Sequence, residues 1–420
     1  MSTRIARISL MMLTTLLLAI WLPMLHTMLF EERFGKTHLF YSPTIKEFVY
    51  KELVGEGHQL AYRDAKGNDY SRKEFEFLNP FIYYKNMEMW GHLPLVIDGN
   101  TYDKQAIRSE RMVVEIKPRD LAGNSPRVQL FPLLESNPGR VRLSFPTNVF
   151  RPSDQLEFVD SDLNAFDPAL TDQFTQALAG AGFEFPVSQV FGRVSILKAY
   201  DSGFLLQDSN GALFKLKKRD GEAVINRIEL PSGLEVRHVA ITESKQREIL
   251  GIVIGTEDEV YLLTEGNFDL IPLQLPDFDA DSMELKVIFD PLYRTAIYSD
   301  NERIYSVAMD RDFTSIATYQ RTMAIAEPRL VDEVWHFLVP FELQMSADNT
   351  RYIQLNPVIN MQAFLVGNLL VLGFVLAMKK WRVRDFAPSY GELLFIALGG
   401  VYGLVACWLW PSLNREQKVL

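Results

Sequence analysis

Three stretches of the chain are apolar almost without interruption, and the long segment between the first two alternates apolar and polar residues. The first runs from Ile8 to Phe30, broken only by Ser9, Thr14, Thr15, Pro23, His26 and Thr27, and is closed by Glu31, Glu32 and Arg33. The second runs from Val358 or Ile359 to Met378, and the third from Leu393 to Trp410. About 20 apolar residues suffice to cross a bilayer as a helix. The pattern therefore predicts three transmembrane helices: an anchor within residues 1–30 and a hairpin within 356–411, followed by a tail at 412–420. A cleaved signal peptide would need a shorter apolar core and a small-x-small cleavage site. Leu22-Pro-Met-Leu-His-Thr-Met-Leu29 has none, so an uncleaved anchor is expected.

The body between the apolar segments reads as two parts. Residues 31–187 mix helix and strand. Tyr62-Arg-Asp-Ala-Lys-Gly-Asn68 has the composition of a hairpin turn, with Gly67 or Asn68 supplying a positive φ. Ser71 and Glu74 form a capping box that starts a helix at Arg72, with a bend at Pro80. Asp167-Pro168 reads as N-cap and first position of another helix, ending at Gly180 or Gly182. Val128–Phe131 and Val141–Phe145 alternate like strands. Residues 188–355 carry strands and tight turns without a helix.

Within this second part a pattern recurs. Ser209-Asn-Gly-Ala-Leu-Phe-Lys-Leu216, Glu257-Asp-Glu-Val-Tyr-Leu-Leu263 and Asp300-Asn-Glu-Arg-Ile-Tyr-Ser-Val307 are each a polar turn followed by an apolar strand with a central aromatic. Those aromatics, Phe214, Tyr261 and Tyr305, are 47 and 44 residues apart. Four-stranded propeller blades repeat at roughly 40–50 residues, which predicts three units and a fourth around Val331–Phe341. A β-sandwich accounts for the same strands. The expected fold is thus membrane-anchored α+β and mainly β: a mixed N-terminal domain, a propeller-like or sandwich β-domain, and three transmembrane helices.

Charge then gives a direction. Arg4 and Arg7 precede the first apolar segment, and Lys379, Lys380, Arg382 and Arg384 lie between the second and third. Loops rich in Lys and Arg stay in the cytoplasm. Both clusters can do so only if residues from about 31 to 357 lie on the opposite side. The third helix would then return the chain outward, although Arg415 and Lys418 in the tail oppose that. The whole chain carries −10, and its two ends together carry +5, so the body carries about −15. Such a body repels nucleic acid, which is excluded as a partner. The one cysteine, Cys407, sits in the third apolar segment, so the body has neither disulfides nor thiol chemistry. This suits the bacterial inner membrane, with the N-terminus inside and the main body periplasmic.

Candidate chemistry is sparse. Asp277-Phe-Asp-Ala-Asp-Ser-Met-Glu284 and Asp160-Ser-Asp-Leu-Asn-Ala-Phe-Asp167 offer alternating acids for calcium. Ser282 and Ala165 stand where the sharp turn needs glycine, and Ile288 and Thr171 where a bidentate Glu should close the loop. Both read better as solvated loops, with Asp167 a helix cap. His26, His38, His58, His92, His238 and His336 form no zinc spacing. There is no nucleophile elbow and no phosphate-binding glycine loop. No enzyme is expected, and no metal or other cofactor.

The apolar segments carry sharper signals. Gly399 and Gly403, Ala363 and Gly367, and Gly373 and Ala377 each place two small residues one helical turn apart, which lets helix backbones approach closely in lipid. Asn368 is polar at membrane depth and needs a hydrogen-bonding partner. The three segments packing on one another satisfy these features as well as contact with another membrane protein does.

Leu130-Phe-Pro-Leu-Leu-Glu-Ser136, Phe183-Glu-Phe-Pro186, Lys198-Ala-Tyr-Asp-Ser-Gly-Phe204 and Leu213-Phe-Lys-Leu-Lys217, with Phe81-Ile-Tyr-Tyr84 and the arrangement of apolar segments, resemble an uncharacterised family of bacterial membrane proteins known only as a domain of unknown function. The resemblance covers most of the chain and implies no catalytic residues. Genes of that family often lie beside those of ABC transporters. The resemblance therefore implies a non-enzymatic accessory subunit of an ABC-type transport or envelope complex, with the bilayer and a permease or other membrane protein as partners. A stand-alone extracytoplasmic ligand-binding sensor or envelope scaffold is the alternative.

Overall fold

The computed structural model describes residues 2–30, 37–54, 59–323, 330–345, 349–380 and 388–411. Over the described residues the protein is mainly β, built of several small sheets that close into no barrel. Its helices are α1 (Ser2–Phe30), α2 (Arg72–Leu78), α3 (Tyr84–Met89), α4 (Lys104–Glu110), α5 (Pro168–Gly180), α6 (Leu330–Leu338), α7 (Asn368–Lys380) and α8 (Tyr390–Leu409). The chain divides into a sheet unit, Gly35–Ala324, and a helical unit made of Met1–Phe34 and Ile325–Leu420.

Three consecutive antiparallel meanders form the centre of the sheet unit. The first contains strands Gln189–Phe191, Phe204–Gln207, Leu213–Arg219 and Glu222–Ile228, and the second Val236–Ile241, Ile249–Gly255, Val260–Thr264 and Leu270–Leu273. The third contains Glu284–Phe289, Arg294–Ser299, Arg303–Met309 and Ser315–Thr322, and Met112–Ile116 adds a fifth strand beside its first. Phe214, Tyr261 and Tyr305 all lie on the third strand of their meander, each entered through an acidic turn. The 47- and 44-residue spacing therefore marks a true structural repeat. In two of those turns one carboxylate organises the backbone: Asp208 accepts from the N–H groups of Asn210 and Ala212, and Asp300 from those of Glu302 and Arg303.

The meanders stack face on face. Leu250, Val253 and Leu263 of the second pack with Leu205, Leu213 and Ile228 of the first. Ile252, Ile254 and Leu262, on its other face, pack with Val287, Ala296 and Val307 of the third. A strand buried on both faces loses the polar half of its alternation, and every residue of Ile249–Gly255 is buried. Each aliphatic side chain so enclosed contributes about 1.5–3 kcal/mol of burial energy.

Dissimilar layers cover the two ends of the stack. Leu39, Tyr41, Phe48 and Tyr50, from the sheet His38–Ser42, Glu47–Leu53 and Leu60–Asp64, cover the third meander. Phe150, Phe158, Phe174 and Leu178, from a second three-stranded sheet and α5, cover the first. Among the described residues no core cluster joins the two end layers.

Local signals in the N-terminal half act as read. Gly67 has φ 86° in the turn after Asp64, Ser71 and Glu74 close a capping box on α2, and Asp167 caps α5 ahead of Pro168. Leu78 ends α2 just before Pro80. Two expected strands fail. Phe131 makes only an isolated bridge to Phe150, and Val141–Phe145 forms no strand. Pro126, Pro132, Pro138 and Pro146 punctuate this stretch, and each removes a donor a ladder would need. The expected fourth repeat around Val331–Phe341 is instead α6, followed by a hairpin of Phe341–Gln344 with Asn356–Ile359.

The helical unit corrects the three-helix expectation. Two helices, within α1 and at α8, are long and apolar enough to cross a membrane. The second apolar segment does not qualify as one helix of that length. It begins as the strand Asn356–Ile359, winds as a π-helix over Ala363–Gly367, and continues from it without a break as α7, so its regular α-helical part has 13 residues.

Candidate functional site

Two polar centres stand out against apolar surroundings. The first lies in the helical unit. α8 is broken at Gly400, whose φ of 54° and ψ of −132° are not helical. The two halves fold back on each other: a β-carbon on Gly403 would stand 2.7 Å from the Phe395 carbonyl oxygen, and the Cys407 thiol lies 4.0 Å from the carbonyl of Glu392. Both ends of α8 therefore meet one residue. The Arg7 guanidinium pairs with the Glu392 carboxylate, which is 3% exposed, and donates to the Trp410 carbonyl at 2.8 Å.

At the break itself the Asn368 side-chain amide donates to the carbonyls of Ala397 (3.1 Å) and Leu398 (3.4 Å). Those are C-terminal carbonyls that the break deprives of helical partners. The Asn368 amide thus has hydrogen-bonding partners on α8. Gly399 is buried, with Thr15 of α1 4.0 Å from its β-position, and Gly367 is buried beside Asn368. Gly373 is exposed with open space around its β-position, and Ala377 is half-buried. Lys379 reaches the Pro388 carbonyl and the Tyr390 ring, at the entry to α8. Lys380 ends α7, and Arg4 lies exposed in the first turns of α1. Arg382, Arg384 and the side chain of Ala363 lie outside the described residues.

The second centre lies where the first two meanders meet. The Lys198 ammonium sits 2.6 Å from Asp201 Oδ1 and 2.7 Å from Glu243 Oε1, with all three side chains at most 2% exposed. Glu243 Oε1 also accepts from the N–H and hydroxyl of Ser202, both at 2.8 Å. Around this triad Lys215 pairs with Glu265 at 3.0 Å, and Arg247 covers the Tyr200 ring at 4.4 Å. Burial raises the Tyr200 phenol well above its ordinary value, with Glu265 adding to the shift, and burial lowers Lys217. Gly203 makes the close approach possible: its φ is 79°, and a β-carbon there would stand 2.1 Å from the Leu216 carbonyl oxygen.

Two buried carboxylates share one ammonium in this triad, and Asp201 Oδ2 and Glu243 Oε2 have no hydrogen-bond partner. The arrangement can fix two sheets in register. Sequence reasoning did not single out the triad, because Glu243 is 42 residues from Asp201. The repeat itself holds the signal. The loop between first and second strands carries a buried acid in every meander: Asp201, Glu243 and Asp290.

The two acidic loops are held by protein groups. Asp281 pairs with Arg237, Asp279 accepts from the Asp281 N–H, and Asp160 accepts from Asp162 and Leu163. Among the described residues no group of three His, Cys, Asp or Glu side chains is placed to hold a metal.

Compared with known proteins, residues 38–309 match the family described as Domain of unknown function (DUF4857). This stretch contains the triad, the first two meanders and the third up to its last strand, Ser315–Thr322. No curated protein matches the chain. Among solved structures, the WD40 domain of SCAP from fission yeast is similar at 10% identity over 76% of this chain and 78% of that one, with a TM-score of 0.27. That likeness is too distant to transfer any property.

Proposed function

The chain belongs to the DUF4857 family, a domain of unknown function, and on that premise we propose a non-enzymatic protein of the bacterial inner membrane that carries its acidic sheet unit in the periplasm. The single observation behind this reading is that Arg7 touches both ends of α8. With Lys379 at the entry to α8, the basic ends of α1 and α7 and both ends of α8 gather at one level of the helical unit. Basic residues on one side of apolar helices are the signature of the cytoplasmic face. On this reading α1 carries the chain out across the bilayer, the helical run that ends in α7 carries it back, and α8 enters and leaves from the same side. The chain after Trp410 then stays with the other basic segments. The outward return expected of a straight third helix is withdrawn, and with it the objection raised by Arg415 and Lys418.

The role that follows is an accessory subunit of an ABC-type transport or envelope complex. Exposed Gly373, one turn from Ala377, offers a notch where another helix backbone could approach. The meanders, read as propeller-like, would present the acidic surface to a partner. Alkaline phosphatase fused at residue 200 should be active and a fusion after residue 411 inactive. Activity at 411, or inactivity at 200, would sink the topology. Mild-detergent purification should recover a permease and an ATPase in stoichiometric amounts, and Gly373→Leu should deplete them. Recovery of the protein alone would favour the stand-alone sensor or scaffold.

A further inference from the structure

We infer that the recess between the end of α4 and the loop 242–248 binds a small phosphorylated anion. It is a cavity of about 260 Å³ lined by Tyr84, Arg108, Arg111, Met112, Lys245 and Gln246, with Val113 beside them. Three cations converge there and no acid lines it. Solvated surface cations are ordinary on any protein, so convergence alone would mean little. Three further observations separate this recess from a solvated patch.

The cations are uncompensated in a body that carries about −15. Among the described residues none of Arg108, Arg111 and Lys245 has an ion-pair partner. The nearest acids in sequence are engaged elsewhere: Glu110 by Arg311 and Arg294, Glu243 by Lys198, and Glu248 by Arg294. The recess is also built rather than incidental. Gln246 donates from its side-chain amide to the carbonyls of Arg108 (3.2 Å) and Arg111 (2.8 Å), tying the loop to the end of α4. Ser244 reaches the Met112 sulfur at 2.9 Å, and Arg111 is held over the Tyr84 ring at 5.8 Å. Finally, the Arg111 Nε–H is buried with no acceptor. A buried donor left unmatched is costly, and an incoming oxygen would satisfy it.

The ligand class follows from the donors. Two guanidinium forks and an ammonium match the oxygens of a phosphate better than those of one carboxylate, which would leave most of the charge unanswered. The volume admits a phosphoryl group with a short polyol, and Met112 and Val113 give it an apolar floor. The recess lies wholly within the sheet unit, so the inference stands or falls apart from the membrane reading.

The test uses the full chain in a neutral detergent at low ionic strength, with melting temperature and calorimetric affinity as readouts. Inorganic phosphate and glycerol 3-phosphate should stabilise it saturably, and Arg111→Gln should weaken that affinity at least tenfold. If Arg111→Gln fails to fold, Arg108→Gln with Lys245→Gln, both at exposed positions, carries the same test. Short-chain phosphatidylglycerol compared with phosphatidylcholine distinguishes the source: a response to glycerol 3-phosphate assigns a free monoester, and a response to phosphatidylglycerol alone assigns a lipid headgroup. No response to any of these, or a response that survives the substitutions, overturns the site.

Discussion

The side-chain oxygen of Asn368 stands 2.1 Å from where a β-carbon on Gly400 would be. The break in α8 and the amide that covers it therefore compete for the same space, and only glycine leaves room for both. Gly400→Ala meets this contact and a backbone conformation that L-residues rarely adopt. The backbone part alone should cost about 1–3 kcal/mol. A melting series in detergent should show Gly400→Ala well below the parent. Adding Asn368→Ala should recover the contact but not the dihedral cost. Full recovery by the double variant would mean that the backbone at Gly400 is unstrained.

Arg7 clasps both ends of α8, pairing with Glu392 at one and donating to the Trp410 carbonyl at the other. Removing one partner strands a charge in apolar surroundings, which typically costs about 3–5 kcal/mol, whereas replacing both by apolar residues is often neutral. Arg7→Leu and Glu392→Leu should each lower the melting temperature sharply, and the pair together should restore most of it. Additive losses in the double variant would contradict a direct clasp.

Lys198→Met would leave Asp201 and Glu243 facing each other without their shared ammonium. A loss of about 3–5 kcal/mol is expected, and urea unfolding checks it. Adding Asp201→Asn and Glu243→Gln, which removes both stranded charges, should recover part of that loss. No recovery would show that packing, rather than charge, is what the lysine supplies.

Two buried groups should bend the pH profile in opposite directions. Burial raises Asp290 from 3.8 to about 6, so its contribution is complete below about pH 4 and lost as pH rises through 6. Burial, with Arg127 and Arg237 nearby, lowers His238 from 6.5 to about 3, so its contribution is complete above 6.5 and lost as pH falls toward 3. Between pH 4 and 6 the two slopes oppose. Asp290→Asn keeps the oxygen that accepts from Leu292 and Tyr293 and should expose a stability that climbs with pH across this window. His238→Phe should expose one that declines, each by on the order of 2 kcal/mol. Flat profiles in both variants would refute the assignment.

What could be read from residues alone was whatever depends on neighbours in sequence. The capping box at Ser71, the cap at Asp167, the turn at Gly67 and the repeat through Phe214, Tyr261 and Tyr305 are local and periodic, and each took its expected form. Asn368 stood out by its polarity within an apolar run. The fold-back at Gly400 was hidden because composition averages over a helix, and a 20-residue apolar run reads the same whether straight or bent. The recess was hidden for another reason. Arg108 and Lys245 are far apart in sequence and meet only because the strand Met112–Ile116 joins the third meander, beside the second.

The central strand Ile249–Gly255, enclosed on both sides, gives the sheet unit an inside without a closed ring. In such a row order is shared between adjacent members, as in stacked repeats. Deuterium should enter the terminal layers first and the amides of Ile252 to Ile254 last, so the protein should melt inward like a pile of cards lifted from either side.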